Sequence, residues 1–227
     1  MAFPSPRSCS LFLFDLDGTL IDSREDITTS LNIALGRMGL NPLPEARVTE
    51  FVGSGVQVLV ERSLREVTGS APPEDRVRLG IALFKEEYGI HLLDRTHLYP
   101  GVKESLDHLC WARFAVVSNK PEIFCRRILD GLGVGMRFLA ILGGDSALRK
   151  PDPASLLKAM EFCRANPHET VMVGDSPVDI QAGKAAGVMT CGVLGGFHSR
   201  ADLEAAGSDL LVHNLLDLVG NFCPSPP

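Results

Sequence analysis

An α/β fold, three layers built on a mainly parallel sheet and interrupted early by a helical insert, is predicted by three features of this chain. Short apolar runs alternate with segments of helical spacing from residue 114 onward, a long earlier interval holds helical pattern alone, and polar residues stand directly after several apolar runs. Strands alternating with helices imply right-handed crossovers and a parallel sheet covered on both faces. At 227 residues with 45% hydrophobic content, the chain can fill one large domain, or one domain with a smaller insert.

The first strand is the run Leu11-Phe12-Leu13-Phe14, and later runs at 114–117, 138–142, 171–173, 189–193 and 210–212 supply the others. Helices at 123–132, 154–163 and 180–186 show apolar residues at a 3.6-residue period, with Pro121, Pro153 and Pro177 near their starts. Proline suits a first helical turn because its φ is already helical and its missing N–H would have no partner there. No strand is expected between the first and second runs. The interval 22–98 reads instead as helices at 24–38, 45–51, 56–67 and 75–93, broken at Gly39-Leu40-Asn41-Pro42, Gly53-Ser54-Gly55 and Gly69-Ser70-Ala71-Pro72-Pro73. The chain therefore divides into a core of residues 1–21 and 99–227 and an insert of 22–98, joined through 20–23 and 98–101. The ends, Pro4-Ser5-Pro6 and Pro224-Ser225-Pro226-Pro227, are expected to fray.

The formal net charge of -6 and the lack of a Lys/Arg run argue against a nucleic-acid surface, while a local basic site for a small phosphorylated substrate stays compatible. The six cysteines form no C-x-x-C pair and read as free thiols of a reducing compartment. No stretch reaches the ~18 apolar residues of a membrane span, and the N-terminal segment lacks a secretion signal's apolar region and cleavage site. A cytoplasmic protein with no membrane partner is the expectation.

In an open parallel sheet, ligands bind beyond the carboxyl ends of the strands. Asp15 and Asp17 follow the first strand, Ser118 the second, and Asp175 the run at 171–173. Two carboxylates one residue apart in a partly dry site raise their own pKa values or acquire a positive partner, so this site should recruit a cation, a metal in particular. Lys150, in Arg149-Lys150-Pro151-Asp152-Pro153, is a further basic candidate.

Four elements in order, Asp15-Leu16-Asp17-Gly18-Thr19, Ser118, Lys150 and Gly174-Asp175-Ser176-Pro177-Val178-Asp179, resemble the haloacid dehalogenase superfamily. The resemblance spans nearly the whole chain and implies a Rossmann-like core whose insert is the family's helical cap. The stretch Asp15 to Ser23, the triplet Ser118-Asn119-Lys120 and the loop from Gly174 are most similar to its phosphoglycolate phosphatase group.

That resemblance implies a Mg²⁺-dependent phosphatase acting on a small phosphate monoester such as 2-phosphoglycolate. Asp15 would be the nucleophile that becomes an aspartyl phosphate, and Asp17 the acid and base for leaving group and water. Ser118 and Lys150 would hold the phosphoryl oxygens. The metal would take the Asp15 carboxylate, the Asp17 backbone carbonyl and Asp175, with Asp179 supporting from behind through water or Lys150, or standing as a plain helix-face residue. Gly18 and Thr19 would shape the loop and aim its amides, and Asn119 and Lys120 would form the pocket wall.

Gly53-Ser54-Gly55, ahead of an apolar helix, would expose amides to an anionic part of the substrate, or is an ordinary glycine-rich turn. Gly131-Leu132-Gly133-Val134-Gly135 reads as a helix stop rather than a dinucleotide loop. The histidines, His198 among them, have no metal-ligand spacing and are expected in surface or packing roles. A sugar-phosphate mutase and a catalytically silent interaction protein are the rival functions, and the oligomeric state is expected to be monomer or homodimer.

Overall fold

The computed structural model describes residues 6–145 and 149–224, so Pro4, Ser5 and residues 225–227 of the expected frayed ends lie outside the described residues. In chain order, β1 (Arg7–Cys9), β2 (Leu11–Phe14) and β3 (Ile21–Asp22) precede α1 (Arg24–Arg37), α2 (Glu45–Thr49), α3 (Val56–Thr68) and α4 (Glu74–His91). Then come β4 (His97–Leu98), α5 (Val102–His108), β5 (Arg113–Val117), α6 (Glu122–Gly131), β6 (Ala140–Leu142), α7 (Ala154–Cys163) and β7 (Thr170–Gly174). The chain finishes with α8 (Pro177–Ala185), β8 (Met189–Val193), α9 (Arg200–Ala206), β9 (Leu210–Val212), α10 (Asp217–Asn221) and β10 (Phe222–Pro224).

Six strands form the main sheet in the order β6-β5-β2-β7-β8-β9, and every neighbouring pair is parallel. β2 lies inside, in register with β5 through Phe14↔Val116 and with β7 through Phe14↔Val173. Apolar residues cover both of its faces, which is why it reads as four apolar residues without alternation. Phe12 and Phe14 meet Phe114 at ring-centroid distances of 6.3 and 5.9 Å. Leu11 and Leu13 join Leu156, Ala159, Met160, Met172 and Ala182 in a second buried cluster.

Several boundaries and small elements differ from expectation. The strand predicted over 138–142 begins only at Ala140. Phe138 instead turns its ring to Phe14, 6.4 Å away, so its apolar character serves packing, not the ladder. Helices α5, α9 and α10 were not expected, and all are short.

Two strand pairs also stand where none was expected. β3 and β4 pair antiparallel through Ile21↔Leu98 and Asp22↔His97. β1 and β10 form a parallel pair that includes Pro224, a residue expected to be frayed. Two- and three-residue strands are too short to show a period, so only their partners reveal them.

The β3–β4 ribbon ties together the two connections that flank α1–α4. Just inside it, Asp26 of α1 is 2% exposed and accepts hydrogen bonds from the Arg95 and Thr96 amides, at 3.0 and 2.7 Å, and from Thr96 Oγ1 at 2.7 Å. The entry and exit of the insert are thus held by backbone and by a buried carboxylate. Tyr88 of α4 meets Phe124 of α6 edge-on at 5.3 Å, which brings the insert over the ends of the central strands.

Candidate active site

Because β5, β2 and β7 are neighbours, their C-terminal ends bring Ser118, Asp15 and Asp175 to one place. The Asp15 amide donates to Val173 O (2.9 Å) and the Ser118 amide to Leu142 O (3.0 Å), so both residues continue the ladder before the chain turns away. After Asp15 the chain closes a tight loop: the Leu20 and Ile21 amides both donate to Leu16 O, at 2.9 and 3.1 Å, and the Gly18 amide to Ile21 O at 2.9 Å. Gly18 sits at φ 85°. A Cβ there would collide with the Asp175 carboxylate, so only glycine lets the loop approach that residue.

Carboxylate oxygens of Asp15, Asp175 and Asp179 lie within 4.8 Å of one another, and all three residues are buried. One cation stands among them. Lys150 Nζ donates to Asp179 Oδ1 (2.6 Å) and to Val117 O (2.7 Å), and forms an ion pair with Asp15 Oδ1 at 2.9 Å. The Lys150 ammonium is thus the charged neighbour of this buried Asp15 oxygen. Burial first, then the charge of Asp179, lifts the Asp15 carboxyl from 3.8 to about 6. Burial also raises Asp175, with His198 opposing. For Lys150, burial alone would favour the neutral amine, but Asp15 and Asp179 reverse the balance and hold the ammonium above its ordinary value.

Asp175 is held from several sides. Thr19 Oγ1 donates to its Oδ1 (3.2 Å), the Phe197 amide donates to its Oδ2 (2.7 Å), and His198 Nδ1 lies 3.8 Å from Oδ2. Asp179 uses both its oxygens, since Oδ2 accepts from the Ser176 amide (3.1 Å) and Ser176 Oγ (2.5 Å) at the start of α8.

Asp17 has a different environment. Lys120 Nζ donates to both its oxygens, at 2.6 and 2.8 Å, and Ser23 Oγ to one of them at 2.5 Å. The Lys120 ammonium also stands 4.8 Å from the centre of the Tyr88 ring. Burial would lower its pKa, but Asp17 and then Tyr88 raise it overall. Lys120, expected as a pocket wall, is therefore foremost the ion-pair partner of Asp17.

A cleft between core and insert is lined by Asp15, Asp17, Ser118, Asn119 and Lys120 from the core side, and by Gly53, Gly55 and apolar residues of the insert. Ser118 Oγ accepts from the Lys120 amide (3.3 Å), which leaves its proton available to the cleft. Asn119 bridges two loops: Nδ2 donates to Gly53 O (2.9 Å) and Lys150 O (3.0 Å), while Oδ1 accepts from the Lys150 amide (2.9 Å).

Three expectations need revision. Gly18 and Thr19 lie behind the acidic cluster, against Asp175, and their amides are consumed inside the loop rather than aimed at the cleft. Ser54 is not part of the cleft lining, unlike its two glycine neighbours. His198 is no ordinary surface residue, because it stands beside Asp175 and near Gly53. The strand-end rule could have singled it out, since it follows β8 by a short Gly195-Gly196 turn. Ser23 and Tyr88 carried no comparable signal.

Known proteins share this architecture. A 37% identical phosphoglycolate phosphatase of Pseudomonas putida aligns over 223 residues, 95% of this chain and 80% of that protein. A phosphoglycolate phosphatase of Vibrio parahaemolyticus is 36% identical, covering 94% of this chain and 96% of that one. The crystal structure of a predicted phosphoglycolate phosphatase from Haemophilus somnus superposes with a TM-score of 0.87 at 31% identity, over 93% of this chain and 96% of that one. The family model of haloacid dehalogenase-like hydrolases matches residues 12–193, a span that contains most of β2, the helical insert, the acidic cluster and the buried Lys120 and Lys150. The chain belongs to the haloacid dehalogenase-like hydrolases.

Proposed function

We propose that this protein is a Mg²⁺-dependent phosphatase that hydrolyses a small phosphate monoester, 2-phosphoglycolate or a metabolite of similar size, through an aspartyl phosphate on Asp15. The observation that carries this reading is the Asp15 carboxylate: buried at the tip of β2, lining the cleft, paired with Lys150 and grouped with Asp175 and Asp179. The relatives named phosphoglycolate phosphatase supply the substrate class.

The donor set suits Mg²⁺, which favours hard oxygen ligands and often keeps part of its water shell. Asp15 and Asp175 would hold it with the Asp17 carbonyl, while Asp179, both of whose oxygens are engaged, would act behind them through Lys150. When bound, the ion supplies positive charge that shields the Asp15 carboxylate from the incoming phosphate. The residues do the rest. Asp15 attacks phosphorus in line with the ester oxygen, and Ser118 Oγ and Lys150 Nζ steady the phosphoryl oxygens. Asp17 gives a proton to the leaving oxygen and takes one from the water that opens the acyl phosphate. Its oxygens are held by Lys120 and Ser23, so the leaving oxygen must replace one of those contacts.

The Gly53-Ser54-Gly55 turn, through Gly53 and Gly55, would border the leaving group, and Asn119 would couple that turn to the Lys150 loop. Gly55→Ala, at a lining glycine with φ 90°, should therefore alter KM. The described cysteines are free, in keeping with an enzyme of a reducing compartment, and we take it to work as a monomer or homodimer. The test is release of inorganic phosphate from a panel of monoesters including 2-phosphoglycolate, sugar phosphates and nucleotides, with and without Mg²⁺. Turnover that needs Mg²⁺ and disappears in Asp15→Asn supports the proposal. Sugar-phosphate interconversion without net phosphate release would refute it in favour of a mutase.

A further inference from the structure

Besides Gly53 and Gly55, the insert's side of the cleft is formed by Ile27, Val52, Val56, Leu59, Phe84 and Tyr88, and among the described lining residues the Tyr88 hydroxyl is its one polar side-chain atom. Tyr88 is 1% exposed, and its Oη has no hydrogen-bond partner among the described residues. The Lys120 ammonium stands 4.8 Å from the centre of the Tyr88 ring, and because it carries donors only it cannot accept the Tyr88 proton. A buried hydroxyl without a partner is costly, and in a cleft that already holds reacting groups the cost is explained if a ligand completes it.

We propose that Tyr88 determines specificity by donating its hydroxyl proton to a carboxylate on the leaving group. This rests on the phosphatase reading above. The chemistry at this end of the cleft selects the acceptor. Lys120 carries three N–H donors and no acceptor, and Asp17 satisfies it from one side only. Tyr88 adds an O–H beside it, with aliphatic and aromatic walls around both. A group offering several lone pairs and no proton of its own fits such a pair of donors, and a carboxylate is that group.

Tyr88 belongs to α4 whereas Lys120 and Asp17 belong to the core, so the recognition site is assembled only when the insert sits over the strand ends. A short substrate would then be read at both ends: its phosphate by Asp15, Ser118 and Lys150, its carboxylate by Tyr88 and Lys120.

The experiment compares 2-phosphoglycolate with ethyl phosphate, in which a methyl group replaces the carboxylate, for the wild-type protein and Tyr88→Phe. A hydrogen bond to a charged group corresponds to roughly 10- to 100-fold in selectivity. The wild-type ratio of kcat/KM should favour 2-phosphoglycolate, and Tyr88→Phe should cut that ratio by about that factor, mainly through KM. Thermal melting without substrate adds a second readout: loss of an unpartnered hydroxyl should leave Tm equal or higher, whereas a purely structural hydroxyl would lower it. If the wild-type protein hydrolyses 2-phosphoglycolate but the ratio is unmoved in the variant, the role of Tyr88 is overturned and the phosphatase reading stands. If the wild-type protein hydrolyses other monoesters but neither of these, this inference is overturned and the phosphatase reading stands; if it releases phosphate from no monoester of the panel, both fail.

Discussion

Replacing the proposed nucleophile should make the metal-free protein more stable, not less. Asp15 is buried beside Asp179 with Lys150 between them, and burial first, then the charge of Asp179, lifts the Asp15 carboxyl from 3.8 to about 6. A rise of that size makes ionisation of Asp15 cost the folded state about 3 kcal/mol. The sign follows from the raised value. Above about pH 6 the folded protein bears the full cost. Between about 6 and 3.8 the folded state holds a proton that the unfolded state has released, so stability grows as pH falls, and below 3.8 the difference vanishes.

Asparagine reproduces the neutral carboxyl in shape and leaves Lys150 paired with Asp179 at 2.6 Å. Asp15→Asn should therefore gain about 3 kcal/mol at pH 8 and about half of that at pH 5. For a chain of this size the pH 8 gain corresponds to a rise in Tm of about 6–12 °C. Urea denaturation in EDTA at both pH values measures it. A variant no more stable than the wild type at pH 8, or one whose gain does not shrink at pH 5, would refute the electrostatic account. Addition of Mg²⁺ at pH 8 should then stabilise the wild type and leave Asp15→Asn nearly unaffected.

Other positions offer independent tests. Asp26→Ala removes a buried acceptor of the Arg95 and Thr96 amides and should cost about 3 kcal/mol in denaturant unfolding, with 2-phosphoglycolate KM changing less than stability. Gly18→Ala forces a side chain into the Asp175 carboxylate at a positive φ, so the Mg²⁺ concentration for half-maximal activity should rise by about 10- to 100-fold. An unchanged Mg²⁺ requirement would detach Asp175 from the metal. Phe12→Ala empties a fully buried site that meets Phe114 and Phe222 and should cost about 3–5 kcal/mol by equilibrium unfolding, with Mg²⁺ binding retained at temperatures where the variant is folded.

The run Leu11-Phe12-Leu13-Phe14 reads as a doubly covered strand because burial on both faces removes alternation, and the structure places it inside the main sheet. Strand ends are legible for a related reason: an apolar run cut off by a carboxylate or hydroxyl marks where the sheet stops and its ligand side begins. That pattern marks Asp15, Ser118 and Asp175, and an apolar period sustained over two turns or more marks the longer helices.

Contacts between distant segments leave no such local trace. Nothing in Ser118-Asn119-Lys120 says that Lys120 reaches back to Asp17 while Asn119 bonds Gly53 of the insert. Likewise, β3 finds β4 across the whole insert through a two-residue ladder, and Tyr88 reaches the cleft only because α4 packs against α6. Periodicity and strand-end polarity are properties of neighbouring residues, so the chain alone determines the sheet, its helices and the carboxylates at its edge. Ion-pair choice, the burial and neighbouring charge that raise Asp15, and the closing of an apolar wall over the cleft depend on distances between segments tens of residues apart, and only the folded arrangement sets those.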